Sequence, residues 1–127
     1  MNVEELVRAA DAARDFAYVP YSGFRVGAAL LCTDGMVYTG CNIENSAYGP
    51  TNCAERTAIF KAVSEGQRSF EAIAIISDSE TFTAPCGVCR QVMSEFCSPD
   101  FTIFMCNRKK EYQKISLGEL LPHAFSL

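Results

Sequence analysis

The chain has no surplus of basic residues, no membrane-length apolar run, no internal repeat and no low-complexity stretch. Each absence removes a class of function. A formal net charge of -4 argues against a nucleic-acid partner, because such proteins normally leave a basic footprint. The one basic run, Arg108-Lys109-Lys110, is short and reads as a solvated turn. No uninterrupted apolar stretch approaches bilayer-spanning length, so a membrane role is not expected. No secretory signal is expected either, since Glu4, Glu5 and Asp11 interrupt the first apolar positions. Histidine is nearly missing. His123 stands alone after Pro122 and reads as a surface or subunit-contact residue rather than a metal ligand.

What is present is compact and thiol-rich. With 127 residues, 49% of them hydrophobic, a single domain over residues 1–127 can build a core of its own. A domain this small leaves much apolar surface uncovered, so association with further copies is expected. Seven cysteines is an odd number for a disulfide framework, and a reducing cytoplasm with thiols free for metal is the simplest account. Cys32, Cys41, Cys97 and Cys106 fall within strand and helix patterns and read as small hydrophobes.

Periodicity outlines the elements. Asn2 with Glu5 marks a helix start, and Val3, Leu6, Val7, Ala10, Ala13 and Ala17 give that helix one apolar face. Residues 24–32 read as a strand, Asp34-Gly35 as a tight turn and 36–41 as the antiparallel return. A helix follows from Cys53 to Glu65, with Gly66 as its stop and Ile59, Phe60 and Val63 as its buried stripe. Ala72 to Ile76 is continuously apolar, as a strand covered on both faces would be. Pro85 opens a second long helix that Pro99 ends. Two further strands, 101–106 and 112–115, are joined by a link too short for a parallel crossover, so they pair antiparallel. Ser116 and Glu119 form a capping box for a short last helix. The expected fold is α/β: three layers, α/β/α, around a mixed five-stranded sheet whose last two strands are antiparallel.

The chemistry concentrates in Cys53-Ala54-Glu55 and Pro85-Cys86-Gly87-Val88-Cys89. Cys53, Cys86 and Cys89 offer three soft ligands for Zn2+, leaving a fourth tetrahedral position for water, which distinguishes a catalytic zinc from a closed structural one. Each cysteine lies at the start of a helix, where free N–H groups and the dipole favour thiolate. Three thiolates leave the site negative, and Arg56 is placed to offset this by donating to ligand sulfurs. Glu55 reads as the non-ligating acid and base that collects a proton from water whose pKa zinc brings towards ~7. Blander readings compete: Glu55 as a helix cap, Cys86 and Cys89 as a redox pair, or a four-cysteine structural zinc drawing on Cys32 or Cys41. None of them explains all four residues.

These two segments resemble those of the small, homotetrameric cytidine deaminases. So do residues 20–30, 40–45 and 120–125, so the similarity spans nearly the whole chain. The resemblance implies hydrolysis of cytidine and deoxycytidine to uridine and deoxyuridine plus ammonia, in pyrimidine salvage, with one Zn2+ per subunit. It implies that Asn42 and Glu44 hold the ribose hydroxyls and that Phe24 packs on the base. It also implies that the Ala54 backbone and Glu55 read the pyrimidine edge. Tyr48 and Phe125 would close the pocket, partly from neighbouring subunits. On residue chemistry alone, Phe24 and Phe125 could as well be core aromatics. A deaminase for blasticidin S is a weaker match to an Asn-x-Glu sugar clamp, and polynucleotide deaminases are disfavoured by the acidic balance. A non-catalytic zinc module is the reading from a different class.

Overall fold

A computed structural model describes all 127 residues. Helix α1 (Val3–Arg14) starts where expected, with the Asn2 side chain accepting from the Glu5 N–H at 2.8 Å. Strands β1 (Val26–Cys32) and β2 (Val37–Cys41) form a hairpin around Gly35, whose φ of 91° is one that L side chains rarely adopt. Helix α2 (Ala54–Ser64) follows, then β3 (Phe70–Ser77), α3 (Gly87–Phe96), β4 (Thr102–Cys106), β5 (Tyr112–Ser116) and the short α4 (Leu117–Leu120). The capping box between Ser116 and Glu119 is formed in both directions.

The sheet order is β2-β1-β3-β4-β5; β3 and β4 are parallel and the other pairs antiparallel. This is the expected mixed three-layer α/β/α fold. Side chains alternate between its faces as strand geometry requires. Ala28, Leu30, Ile73, Ile75, Ile103 and Met105 pack with α2 and α3, while Ala29, Ala72, Ala74, Ile76 and Phe104 pack with α1. Burying each Ile or Leu of this kind stabilises the fold by about 1.5–3 kcal/mol.

Four sequence expectations shift, each for a local reason. Helix α1 ends before Ala17, because Tyr18 is drawn into backbone pairing with the 42–44 segment. Phe24 lies outside β1; Gly23 takes a φ of 67° before it, and side chains rather than a ladder partner hold its backbone. Phe60 is 46% exposed, and the buried face of α2 is Ala54, Glu55, Ala58, Ile59 and Ala62. Pro85 precedes α3 without joining it, Cys86 being the N-cap, and the helix ends at Phe96, short of Pro99.

The preference for alanine on α2 comes from how closely that helix approaches the sheet. A Cβ at Gly40 of β2 would stand 2.5 Å from the Ala54 carbonyl oxygen and 2.6 Å from the Ala58 nitrogen. Gly27 is equally tight on the other face, with the Ala10 carbonyl oxygen 2.1 Å from an added Cβ. The free margin of β2 is covered in turn: the Lys61 ammonium of α2 donates to the Thr39 carbonyl. Gly27→Ala should therefore lower the unfolding free energy by about 1–3 kcal/mol, as overpacking does. Urea titration checks this against Gly49→Ala, which has open space around it and should stay near the parent.

Candidate active site

Because β1 runs antiparallel to both neighbours, β2 and β3 point the same way. The helices that follow them, α2 and α3, therefore begin at the same end of the sheet. Cys53 is the N-cap of α2, Cys86 the N-cap of α3, and Cys89 lies within the first turn of α3. Their sulfurs all fall within 4.8 Å of one another. The Cys53 and Cys86 sulfurs are 3.8 Å apart. Zinc–sulfur bonds of ~2.3 Å at tetrahedral angles put sulfurs about 3.8 Å apart, which the Cys53–Cys86 pair matches and which no pair of the cluster exceeds by more than about 1 Å. No fourth cysteine, histidine or carboxylate joins the cluster.

Electrostatics is organised around these thiols. Arg56, one helical turn from Cys53, donates from Nη2 to the Cys53 sulfur at 3.2 Å. The Cys89 thiol beside it, joined by that guanidinium, holds the Cys53 thiol well below its ordinary value. The same contact, together with burial, raises Cys89. Cys86 also accepts from the Cys89 backbone N–H at 3.4 Å. Glu55 is only 4% exposed, and burial pushes its carboxyl up to about 7. A cation held by the adjacent thiols would draw it back down.

Around the cluster, the other expected residues are placed unevenly. Ala54 is fully buried. Asn42 bridges the chain opposite it: Nδ2 donates to the Phe24 carbonyl at 2.8 Å and Oδ1 accepts from the Val26 N–H at 2.9 Å. The Glu44 carboxylate accepts from the backbone of Tyr21 and Ser22 and from the Ser22 hydroxyl. Both side chains thus brace the 21–26 segment, and Phe24 rides on it, 42% exposed. Tyr48 and Phe125 stand on the surface of the single chain, 87% and 67% exposed. The Phe125 carbonyl accepts from Gln91 of α3 at 3.1 Å, which ties the tail to the helix that carries Cys89.

Sequence reasoning missed Thr57 and Ser22. The Thr57 hydroxyl lies 3.0 Å from the Cys41 and Cys53 carbonyl oxygens and accepts from Asn52, pinning the start of α2 to the end of β2. A threonine one turn into a helix is the only local signal for such a role, and it is weak. The largest concavity, about 440 Å3, lies between α1 and α2 beside Phe16, Cys41 and Lys61, and none of Cys53, Cys86 and Cys89 lines it.

A family model for the cytidine and deoxycytidylate deaminase zinc-binding region matches residues 1–105. The chain belongs to this family. It is 56% identical over 126 residues to a cytidine deaminase of Sporosarcina psychrophila, covering 99% of this chain and 93% of that one. It is 53% identical to a cytidine deaminase of Halalkalibacterium halodurans, covering 99% and 96%. The crystal structure of the cytidine deaminase from Burkholderia pseudomallei superposes with a TM-score of 0.95 at 49% identity, covering 98% and 100%. The sulfurs, the guanidinium and the buried carboxyl of this member therefore sit in a family defined by a zinc-binding region.

Arg56→Ala should leave zinc bound but speed its loss to a competing chelator by about tenfold, in line with the 10–100-fold typical of outer contacts at metal sites. Metal analysis and chelator kinetics measure this. Cys89→Ala should lose zinc outright.

Proposed function

We propose that the chain hydrolytically deaminates cytidine and deoxycytidine, giving uridine or deoxyuridine and ammonia, with one zinc per chain held by Cys53, Cys86 and Cys89. The observation that carries this reading is the cluster of three sulfurs, all within 4.8 Å of one another, beside a buried carboxyl that is not part of it. Relatives named cytidine deaminases, similar over nearly the full chain, supply the substrate class. Zinc held there would supply Lewis acidity, bringing the pKa of a water towards ~7.

The protein's own groups do the rest. Glu55 takes a proton from the attacking water as its oxygen bonds to the amino-bearing ring carbon, and passes that proton to the neighbouring ring nitrogen. As the carbon–nitrogen bond breaks, Glu55 moves the proton of the newly bonded hydroxyl to the departing amine, so that the hydroxyl becomes the ring carbonyl and the amine leaves as ammonia. Its burial suits this, because loss of water raises the carboxyl while a cation on the adjacent thiols would lower it, and the two opposing effects leave a group that can both take up and give back a proton. The backbone at Ala54 and the Glu55 carboxylate orient the pyrimidine edge. Arg56 offsets the negative charge of the sulfurs.

Phe24 packs on the base, and Asn42 with Glu44 receives the sugar. Glu44 Oε1 already accepts from the Tyr21 and Ser22 N–H groups, but Oε2 accepts only from the Ser22 hydroxyl, so a ribose hydroxyl can still donate to Oε2. Tyr48 and Phe125 cover the nucleoside from neighbouring chains in a homotetramer. In support, these aromatics lie open on the isolated chain, and none of its concavities is lined by Cys53, Cys86 or Cys89. Seven free cysteines fit a reducing cytoplasm and a place in pyrimidine salvage.

Purified protein should turn over cytidine with loss of ultraviolet absorbance and release of ammonia, and absence of zinc-dependent turnover rejects the reading. Glu55→Gln should keep its zinc and lose at least ~10²-fold in rate. A non-catalytic zinc module would show no turnover for this variant to lose. Size-exclusion chromatography with light scattering should give a tetramer.

A further inference from the structure

The three residues that carry Phe24 into β1 have an unusual set of backbone partners. The Phe24 N–H donates to the Ser22 hydroxyl at 3.0 Å, and its carbonyl accepts from Asn42 at 2.8 Å. The Arg25 N–H donates to Asp78 Oδ2 at 2.9 Å, and the Arg25 carbonyl accepts from the Asp78 N–H at 3.2 Å. The Val26 N–H donates to Asn42 Oδ1 at 2.9 Å. No polar backbone atom from Phe24 to the Val26 N–H is left to water, and side chains bind most of them.

Asp78 is the distant member of this set, 53 residues from Arg25 at the end of β3. Its carboxylate also receives Arg25 Nε at 3.3 Å and Nη2 at 3.1 Å, so backbone and guanidinium are clamped together. Arg14 of α1 approaches it at 3.5 Å while donating to the Ser77 carbonyl at 2.7 Å, which fixes the carboxylate from behind. Burial pushes the Asp78 carboxyl up, but the bonds from Arg25 outweigh it and leave the group below its ordinary value. It is therefore a charged acceptor across the neutral range, and bonds to charged groups are the stronger kind.

We propose that Asp78 is a positioning residue for nucleoside binding: by gripping the Arg25 backbone it holds Phe24 at the angle from which its ring meets the base. This rests on the assignment of Phe24 to the base made above. A ring 42% exposed on the single chain has little packing of its own to fix it, so its aim is inherited from the backbone beneath. Neither Asn42 nor Ser22 can replace the grip, since Asn42 is engaged at both ends of its amide and Ser22 at Phe24 and Glu44.

A double-mutant cycle tests the proposal on the zinc-loaded enzyme, with cytidine as substrate. Asp78→Ala should raise KM about tenfold with kcat within about twofold, the size of one lost hydrogen bond to a charged group. Asp78→Asn, which keeps an oxygen towards the Arg25 N–H, should recover most of that loss. In a Phe24→Ala background, Asp78→Ala should add nothing further to KM. Asp11→Asn, which weakens the same ion network through Arg14 without touching Arg25, should leave KM unchanged.

Equal KM increases from Asp78→Ala with and without Phe24 would overturn the proposal, as would an unchanged KM or a matching rise in the Asp11 variant. If Asp78→Ala does not fold, the same cycle is run with Asp78→Leu, which has nearly the shape of the aspartate but no acceptor, and additivity there is equally fatal. A native enzyme that deaminates cytidine while Phe24→Ala leaves KM untouched removes the base contact, and this role with it. A native chain without turnover removes the functional reading itself.

Discussion

The direct contact of the α2 backbone with β2 is the constraint on which the rest depends. Where Gly40 meets Ala54 and Ala58 there is no room for a side chain on the strand, so the helix is seated against the sheet with almost no play. That seating fixes Cys53 at the sheet margin, and the shared direction of β2 and β3 brings Cys86 to meet it at 3.8 Å. The same seating buries Glu55, because a residue two positions after the N-cap on the sheet-facing side has nowhere else to go. Thr57 reinforces it from within the helix by binding the strand end it faces. A loose α2 would blur the sulfur spacing and rehydrate the carboxyl together.

Much of this is local chemistry and therefore legible in the sequence. The cap at Asn2, the hairpin around Gly35, the box at Ser116 and the Cys86–Cys89 pair depend on spacings of a few residues, and the structure keeps all of them, with Cys53 brought to that pair from 33 residues away. Arg56 reaches Cys53 for the same reason, being one turn along the same helix. What was not legible depends on partners far away in the chain. Phe60 reads as a core residue by periodicity, yet the closeness of β2 gives the buried face to alanines. The end of α1 is decided by the 42–44 segment and the start of β1 by Asn42 and Ser22. Asp78 carries no signal at all within its own neighbourhood; its partners are Arg25 and Arg14.

The polar residues of the 42–44 segment are bonded within the chain itself. Asn42 and Glu44, two positions apart, sit together as the alternation of an extended segment suggests, but both are turned onto the backbone of residues 21–26. A side chain already fixed by internal bonds loses little freedom when a small molecule adds one more, so bracing a loop and receiving a ligand are compatible tasks. The negative character of three sulfurs is met likewise by groups already in place: two helix ends and the Arg56 guanidinium.

The lysine over the outer strand has a consequence for how this molecule behaves in a crowded solution. An open row of carbonyls and amides invites a foreign strand to dock and can seed fibrils. With the Lys61 ammonium seated on Thr39 at one border and Lys114 carried by β5 at the other, each border presents a hydrated positive charge to any intruder. Sheet-to-sheet growth is therefore disfavoured at both ends, which leaves helices and loops as the surfaces through which copies can meet without polymerising.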